Sequence, residues 1–108
     1  MPANPLHLDD LPEREQFPGY HGRFIHSQSM SLVYWTVEAG AVFPEHAHPH
    51  EQVVNMLDGE LDLSLDGQRL HLRTGDIVVI PPNATHSGRA TTPCRILDVF
   101  SPVREDYR

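Results

Sequence analysis

Three histidines lie within five residues near the middle of this 108-residue chain: His46, His48 and His50. His46 and His48 are two residues apart, so on a β-strand their imidazoles would point to the same face. Gln52 lies four residues past His48 and keeps the same parity. A downstream segment ends in His86 and can bring a further imidazole to them. Three imidazoles and one amide oxygen that converge in a small barrel predict a divalent metal site.

This ligand set suits several metals and selects none of them. Imidazole and amide donors fit Ni, Zn, Fe, Co, Cu or Mn, and the general order of affinity does not decide which one is physiological. His50 shares the parity of His48, but Pro49 bends the chain between them. His50 is therefore a further candidate ligand, although a place beside the ligands or at the rim of the site is favoured. Glu51 is an alternative oxygen ligand, although its side chain would point away from the face that carries Gln52.

An acidic residue interrupts an apolar segment near the C-terminus. Asp98 shares its strand parity with Cys94, Ile96 and Phe100, which predicts a buried face. A buried carboxylate must be hydrogen-bonded or paired, or its pKa rises. Asp98 is therefore either a satisfied structural group or a general acid/base that lines a cavity. Arg104 is either a solvated tail residue or a fork for a substrate carboxylate.

Short strands and frequent turns must position these side chains. Apolar and alternating segments are separated by turn signals such as Asp58-Gly59 and Asp66-Gly67, and no helix of ten or more residues is indicated. The predicted strands are residues 23–27, 30–38, 52–57, 60–65, 69–72, 77–80, 85–90 and 94–101. Short strands with turns at this spacing predict an all-β sandwich or barrel.

The length indicates one domain with short extensions. Residues 1–22 are rich in proline and are expected to form an extended arm, residues 23–101 the barrel, and residues 102–108 a polar tail on the surface. Such a short chain buries a modest core, so a homodimer is expected. The aromatic strand at 30–38 is one candidate for the contact, and the arm could cross to an edge strand of the partner.

Charge and cysteine content argue against several classes of protein. The net charge is −7 and no basic run exists, so nucleic acid and anionic membranes are not expected partners. Cys94 is the only cysteine, which excludes a disulfide scaffold and fits a reducing compartment. The first ten residues lack the apolar run of a signal peptide, and no segment is long enough to span a bilayer. A cytoplasmic protein is expected.

The first histidine segment resembles the first motif of the cupin superfamily. Gly40, His46, His48 and Gly59 match that motif in type and spacing. Gln52 stands where the motif has a glutamate, counted back from Gly59. This resemblance covers the segment that carries the candidate metal ligands.

The second segment resembles the second cupin motif, in the right order along the chain. Gly75, Pro81 and His86 match. Asn83 stands at the second glycine of the motif, and Ala90 stands at its final asparagine. Together the two motifs cover about half of the chain.

The resemblance implies a double-stranded β-helix, the jelly-roll barrel of cupins, with one divalent metal held by His46, His48, Gln52 and His86. An amide in place of the glutamate adds no negative charge. Three neutral imidazoles and an amide would leave a net charge of +2 at the site, which suits an anionic ligand.

The C-terminal segment, residues 96–107, together with His-Pro-His-Glu-Gln at 48–52, is similar to the KdgF group of small cupins. That group linearises 4,5-unsaturated uronates released by pectin and alginate lyases. Its Asp, Phe and Arg correspond here to Asp98, Phe100 and Arg104. The resemblance implies that Asp98 and Arg104 are catalytic and that Phe100 and Arg104 bind the substrate.

Three functions fit these observations. The first is an isomerase or lyase-like enzyme that acts on a small, anionic sugar derivative. The second is a metal-dependent dioxygenase, because coordination positions remain open beside four ligands, and loss of turnover without oxygen would identify it. The third is a non-catalytic module that binds a small molecule. Uronate lyases or sugar-acid kinases encoded nearby would favour the first.

Overall fold

The chain folds into two antiparallel β-sheets around a shared core, and the computed structural model describes residues 3–108. The strands in these residues are β1 (Arg14–Phe17), β2 (Tyr20–His26), β3 (Ser31–Val37), β4 (Val42–His46), β5 (Glu51–Asp58), β6 (Glu60–Leu65), β7 (Gln68–Arg73), β8 (Ile77–Ile80), β9 (His86–Ala90) and β10 (Cys94–Ser101). One sheet has the order β1-β2-β3-β10-β5-β8 and the other β4-β9-β6-β7. The all-β jelly-roll expectation is confirmed.

Strict alternation along the strands builds the core. In β10 every second residue from Cys94 to Phe100 is buried, and the residues between them are partly or fully exposed. β3 has the same pattern from Ser31 to Val37. The core draws on both sheets and includes Val33, Trp35, Val54, Met56, Leu61, Leu63, Leu72, Ile80, Ala90 and Ile96. Asp98 shares this inward direction, so a charged group enters the barrel.

Each strand expected from the sequence is present. The strands at 60–65, 77–80 and 94–101 have the expected bounds, and the others differ by at most three residues at an end. Asp66 and Gly67 have φ values of 47° and 82° and join β6 to β7, as the primed turn of a two-residue hairpin requires. The helical turns in residues 3–108 are two short 3-10 segments, and no helix there is long and apolar enough to cross a membrane.

The proline-rich arm is only partly an extension. Residues 14–17 form β1, which pairs with β2 of the same chain, and β2 begins at Tyr20. The boundary placed at residue 22 therefore falls inside a strand. Pro12 and Pro18 bracket a proline-free segment long enough for one short edge strand, which the overall proline density obscured. Residues 1 and 2, also assigned to the arm, lie outside the described residues.

The C-terminal tail does not lie on the surface as expected. Val103, Arg104 and Tyr107 are buried. A 3-10 turn at Glu105–Tyr107 folds the chain back, and the Tyr107 ring packs edge-on against Phe24, with ring centroids 5.3 Å apart. One tyrosine and one valine make a largely polar segment amphipathic, and Tyr107 joins the hydrophobic core.

Gly59, in the turn between β5 and β6, is closely packed against the neighbouring backbone. It has φ +95°, and a Cβ built there would overlap the Pro93 carbonyl oxygen and lie 2.9 Å from Cys94 Sγ. Gly75 has φ +94° but no atom within 4 Å of such a Cβ. We expect Gly75→Ala to cost about 1–2 kcal/mol in unfolding free energy through backbone strain, and Gly59→Ala to cost clearly more. Urea denaturation measures both, and equal losses would contradict the packing argument.

Candidate metal centre

Three imidazoles converge inside one end of the barrel. His46 ends β4 and is the ladder partner of His86, the first residue of β9. His48 lies beyond the end of β4, in the loop that leads into β5. One nitrogen from each ring lies within 4.8 Å of the others. His46 and His48 therefore meet as the spacing predicts, although His48 reaches the cluster from a loop and not from a strand.

Backbone carbonyls orient all three rings. In each histidine Nδ1 lies at hydrogen-bond distance from a carbonyl oxygen two residues away in the chain. The pairs are His46 with Pro44 at 2.9 Å, His48 with His50 at 3.0 Å, and His86 with Ala84 at 2.9 Å. A carbonyl can only accept, so each Nδ1 carries the hydrogen and each Nε2 keeps its lone pair. Such an arrangement is typical of histidines that bind metals through Nε2.

Two imidazoles of the cluster, those of His48 and His86, are held in the neutral form. Burial lowers the pKa of His86 to about 4, and burial followed by the nearby Arg104 charge lowers the pKa of His48. His86 is 1% exposed, and its Nε2 has no hydrogen-bond partner. A buried, unprotonated and unpartnered nitrogen is costly unless a cation binds it. The donor set therefore fits a divalent metal.

Gln52 lies beside this cluster on β5 and is 2% exposed. Its Oε1 is 3.0 Å from His48 Nε2. A neutral His48 has only one N–H and faces an acceptor at both nitrogens, so at Nε2 two lone pairs meet. A cation bound next to Oε1 and Nε2 removes this conflict. Glu51 is exposed on the opposite face, as its parity predicts.

Asp98 enters the same interior from β10. Trp35 Nε1 donates a hydrogen bond of 2.9 Å to Oδ2, whereas Oδ1 is buried without a well-formed hydrogen bond. Burial raises the pKa of Asp98 to about 6, and the amide of Gln52 and the indole of Trp35 offset only part of that rise. The hydrogen bond from Trp35 thus orients the carboxyl group through Oδ2, and Oδ1 is left for a ligand.

Trp35 lies in the strand expected at 30–38, and its hydrogen bond to Asp98 was missed from the sequence. A glycine on β2 allows the contact, because a Cβ at Gly22 would lie 2.7 Å from the indole ring. The alternation along the strand indicates from the sequence that Trp35 points inward, but its contact with Asp98 depends on the pairing of β3 with β10. Only the folded chain shows that pairing.

Arg104 is a buried residue and not a solvated one. Its Nε and Nη2 donate to the two carboxylate oxygens of Asp106 at 3.0 and 2.7 Å. The guanidinium lies over the rings of Tyr107 and Phe100, at 4.1 and 4.8 Å from their centroids. Its Nη1 is buried and has no partner. One guanidinium nitrogen, which carries two N–H groups, therefore has no partner within the described residues.

The interior next to these groups is small. Two cavities of about 20 Å³ each share Tyr20, Trp35, Phe43, Gln52 and Asp98 in their walls. Each has room for about one water molecule. One of them is also lined by His46 of the imidazole cluster and by Arg104 and Tyr107 of the C-terminal tail. The Tyr20 hydroxyl, within the predicted arm, is buried there without a partner and was missed from the sequence.

A larger groove of about 680 Å³ lies on the outer side of the four-stranded sheet. His46, His48, His86 and Asp98 do not line it. The chemistry that the residue types predict is therefore inside the barrel.

A family model for the cupin domain matches residues 33–100, a range that holds all three clustered histidines and Asp98. The chain belongs to the cupin family. The match spans more than half of the sequence and agrees with the strand order and the histidine cluster.

Among known cupins, the KdgF proteins match over nearly the whole chain. The chain is 28% identical to the pectin degradation protein KdgF of Dickeya dadantii (strain 3937) over 102 residues, which cover 92% of this chain and 93% of that protein. The solved structure of KdgF from Halomonas sp. superposes with a TM-score of 0.92 at 25% identity, over 99% and 100% of the two chains. The resemblance to the KdgF group is confirmed.

A shorter match links this cupin to a dioxygenase. The chain is 46% identical to quercetin 2,3-dioxygenase of Bacillus subtilis (strain 168) over 52 residues, and the match covers 46% of the chain. The chain spans 15% of that protein's length, and 54% to 56% of the length of two further kinds of curated relative.

One departure from the second cupin motif has a structural reason. Asn83, which replaces a motif glycine, has φ +66°, in the left-handed region that asparagine tolerates better than most residues. Its backbone N–H donates to the His48 carbonyl at 2.8 Å. The substitution preserves the turn that ties the second motif to the first.

We expect this cupin to bind about one divalent ion per chain, with histidine nitrogens at about 2.0–2.3 Å. His86→Ala, or His46→Ala with His48→Ala, should abolish binding, because each removes inward Nε2 donors. His71→Ala is the matched control, since His71 is exposed on the other face beside Asp62. Plasma mass spectrometry after metal loading and desalting gives the stoichiometry. Full uptake by the double variant, or none by the wild type, would contradict the assignment.

The buried Asp98 carboxyl should make stability depend on pH. Its pKa is about 6 in the folded chain against an ordinary 3.8, so the folded state keeps a proton that the unfolded state loses. Unfolding free energy therefore falls as pH rises from 3.8 to about 6 and stays lower above that range. Relative to Asp98→Asn, metal-free wild type should lose about 3 kcal/mol across this window. Urea denaturation at several pH values measures it, and parallel curves would contradict it.

Proposed function

We propose that this cupin is a metal-dependent isomerase that acts on a small acidic sugar derivative such as a 4,5-unsaturated uronate. The observation that carries the proposal is the buried Asp98 carboxyl, which has one oxygen free in a cavity shared with Gln52 and lies near the imidazole cluster. The nearly full-length similarity to KdgF supports the same substrate class.

His46, His48 and His86 would hold the ion, with Gln52 as the fourth ligand through Oε1. A bound divalent ion supplies Lewis acidity toward a substrate hydroxyl, carbonyl or carboxylate oxygen. Because all four ligands are uncharged, the site keeps a positive charge and favours an anionic substrate. The metal is one of Ni, Zn, Fe, Co, Cu or Mn.

Asp98 would move the proton. Conversion of an enol to a ketone transfers one proton from oxygen to carbon and needs no oxidant. A carboxyl with a pKa of about 6 holds and releases a proton near neutral pH, which suits such a transfer. Trp35 fixes Oδ2, so Oδ1 is the atom that would accept the proton from oxygen and return it to carbon.

Arg104 would bind the substrate carboxylate through Nη1, the one nitrogen of its guanidinium without a partner. Phe100 is 2% exposed, and its ring lies against the guanidinium of Arg104. Its contribution to substrate binding would be to hold Arg104 in place. A sugar acid is far larger than a cavity of about 20 Å³. Substrate entry would therefore require Phe17 and Tyr107, which also line that cavity, to move.

A dioxygenase is the second candidate, and the 46% identity to quercetin 2,3-dioxygenase over 52 residues favours it. The two functions differ in their need for oxygen. Turnover that persists under anaerobic conditions supports the isomerase, and turnover that is lost without oxygen supports the dioxygenase. If the purified, metal-loaded protein binds uronates without converting them, the result supports a non-catalytic binding role.

We expect Asp98→Asn to lower kcat for an unsaturated uronate by about 10²-fold or more, because the amide keeps the size but cannot accept and return a proton. Arg104→Ala should mainly raise KM, because it removes a contact to the substrate carboxylate. Loss of ultraviolet absorbance from the unsaturated bond follows the reaction.

Asp62→Asn, an exposed carboxylate on the outer face of β6, is the control and should leave both constants unchanged. Metal content measured on the same samples separates loss of the proton carrier from loss of the ion. A fully active Asp98→Asn variant would end the assignment of Asp98, while the metal site would stand because it rests on other residues.

A further inference from the structure

The backbone of Arg104 lies outside both sheets. β10 ends at Ser101, and Arg104 follows it in the C-terminal tail, so strand pairing does not fix its position. The 3-10 turn at Glu105–Tyr107 comes next, and the Tyr107 N–H donates to the Arg104 carbonyl at 3.0 Å. That bond joins the tail to itself. The place of Arg104 relative to the imidazole cluster must therefore come from contacts between the tail and other segments.

Ser31 makes one of these contacts from the first position of β3. Its side chain points into the barrel on the same face as Val33 and Trp35, and the residue is 0% exposed. The backbone N–H of Arg104 donates to Ser31 Oγ at 2.8 Å. A buried hydroxyl among apolar neighbours is costly unless both its oxygen and its hydrogen have partners. The Arg104 amide satisfies the oxygen, so the hydrogen needs an acceptor.

His26 supplies that acceptor from β2, where it is the ladder partner of Ser31. Its Nδ1 lies 2.7 Å from Ser31 Oγ, and its Nε2 lies 3.3 Å from the Tyr107 carbonyl oxygen. A carbonyl can only accept, so the neutral ring carries its hydrogen on Nε2, and Nδ1 accepts from the Ser31 hydroxyl. This tautomer is the opposite of the one that the three clustered histidines adopt.

These hydrogen bonds form a path that starts and ends on the tail. It runs from the Arg104 N–H to Ser31, from the Ser31 hydroxyl to His26, and from His26 to the Tyr107 carbonyl. Arg14 Nη2 donates to the same carbonyl, whose oxygen has two lone pairs. The path therefore fixes the backbone of Arg104 together with the turn whose tyrosine ring lies against the guanidinium.

His50, the third histidine of the central segment, contacts the tail and is not part of the imidazole cluster. Its Nε2 lies 3.2 Å from the Val103 carbonyl oxygen and donates to it, since a carbonyl can only accept. The carbonyl oxygen of His50 in turn accepts from His48 Nδ1. His50 thus links a clustered histidine to the residue that precedes Arg104.

Ser31 also belongs to the row of side chains that meets the site. It is the ladder partner of Phe100 on β10, and Phe100 is the ladder partner of Gln52 on β5. All three are buried. Phe100 contacts the guanidinium of Arg104, and Gln52 is the proposed fourth ligand of the ion. The strand ladders therefore set the distance between the backbone of Arg104 and the ion site, with Ser31 as the point of attachment.

We infer that Ser31 and His26 are positioning residues for Arg104, whose backbone they hold where Nη1 can bind a substrate carboxylate. The inference rests on the proposed role of Arg104. Asp106 binds two of the guanidinium nitrogens, but it belongs to the same tail and moves with it. Ser31 instead lies on β3, an interior strand of the six-stranded sheet, so it ties the tail to the barrel.

Ser31→Ala should raise KM for an unsaturated uronate by about tenfold and change kcat by less than about twofold, because it loosens a binding group and leaves the proton carrier in place. Ser31→Thr keeps the hydroxyl and should restore most of the loss. Val37→Ala is the matched control, since Val37 is buried at the other end of the same strand. It lowers stability and should leave KM unchanged. An unchanged KM in Ser31→Ala, or a loss confined to kcat, contradicts the inference.

His26→Phe tests the second link of the path. Phenylalanine keeps a ring but removes both nitrogens, so the Ser31 hydroxyl loses its acceptor and KM should rise. The double variant of Ser31 and His26 should raise KM by about as much as the larger single change, because both break one path. His71→Phe, at an exposed position on the other sheet, is the control. Effects that multiply in the double variant would mean that the two residues act separately, and would overturn the path.

Amide hydrogen exchange tests the positioning without turnover. In the zinc-loaded protein, NMR should show the Arg104 N–H exchanging at least about tenfold faster in Ser31→Ala than in wild type, with amides in the middle of β5 as the reference for global stability. Ser31→Thr should restore the protection. Unchanged exchange at Arg104 refutes the inference even if uronates are converted. If wild type converts no uronate and the exchange still rises, the proposed function fails, and the hold of Ser31 on the tail is supported.

Discussion

The hydrogen bonds from three histidine Nδ1 atoms to backbone carbonyls are the constraint on which the rest of the site depends. Each bond is local, with an acceptor two residues away, so each short segment fixes the tautomer and direction of its own ring. Convergence of the rings is not local. It requires the β4–β9 ladder, which pairs His46 with His86, and the Asn83 contact that holds the His48 loop. The barrel therefore serves to bring together three segments that are already oriented.

This division explains what could be predicted from the sequence. The histidine spacing, the β-strand periodicity and the turn at Asp66-Gly67 are local signals, and they predict an all-β sandwich or barrel with a pair of histidines on one face. The jelly-roll topology and the place of His86 in the cluster were implied by the resemblance to cupins. The contact of Trp35 with Asp98 joins residues 63 positions apart and depends on which strands are neighbours. The burial of Tyr107 likewise depends on its packing against Phe24, which is distant in the chain. Neither has a local signal, so both were found only in the folded chain.

The charges of the interior explain why a neutral amide at Gln52 is tolerated. Burial and the positive charge of Arg104 both hold His48 unprotonated, while Asp106 pairs with two of the three guanidinium nitrogens. The cavity then contains one carboxyl group, Asp98, whose burial already favours its protonated form. A glutamate in place of the glutamine would put a second carboxylate beside it and raise the cost of ionising either one. The amide leaves Asp98 as the single carboxyl group of the cavity.

The strands that hold the site also carry an apolar outer face, because successive residues of a strand point to opposite sides. Asp98 lies between Leu97 and Val99, and Gln52 lies next to Val53, so both inward polar residues are flanked by outward aliphatic ones. An ionised Asp98, together with imidazole and guanidinium nitrogens that lack partners, destabilises a small barrel. The polar groups on which the proposed function depends are therefore also the ones that cost the fold most.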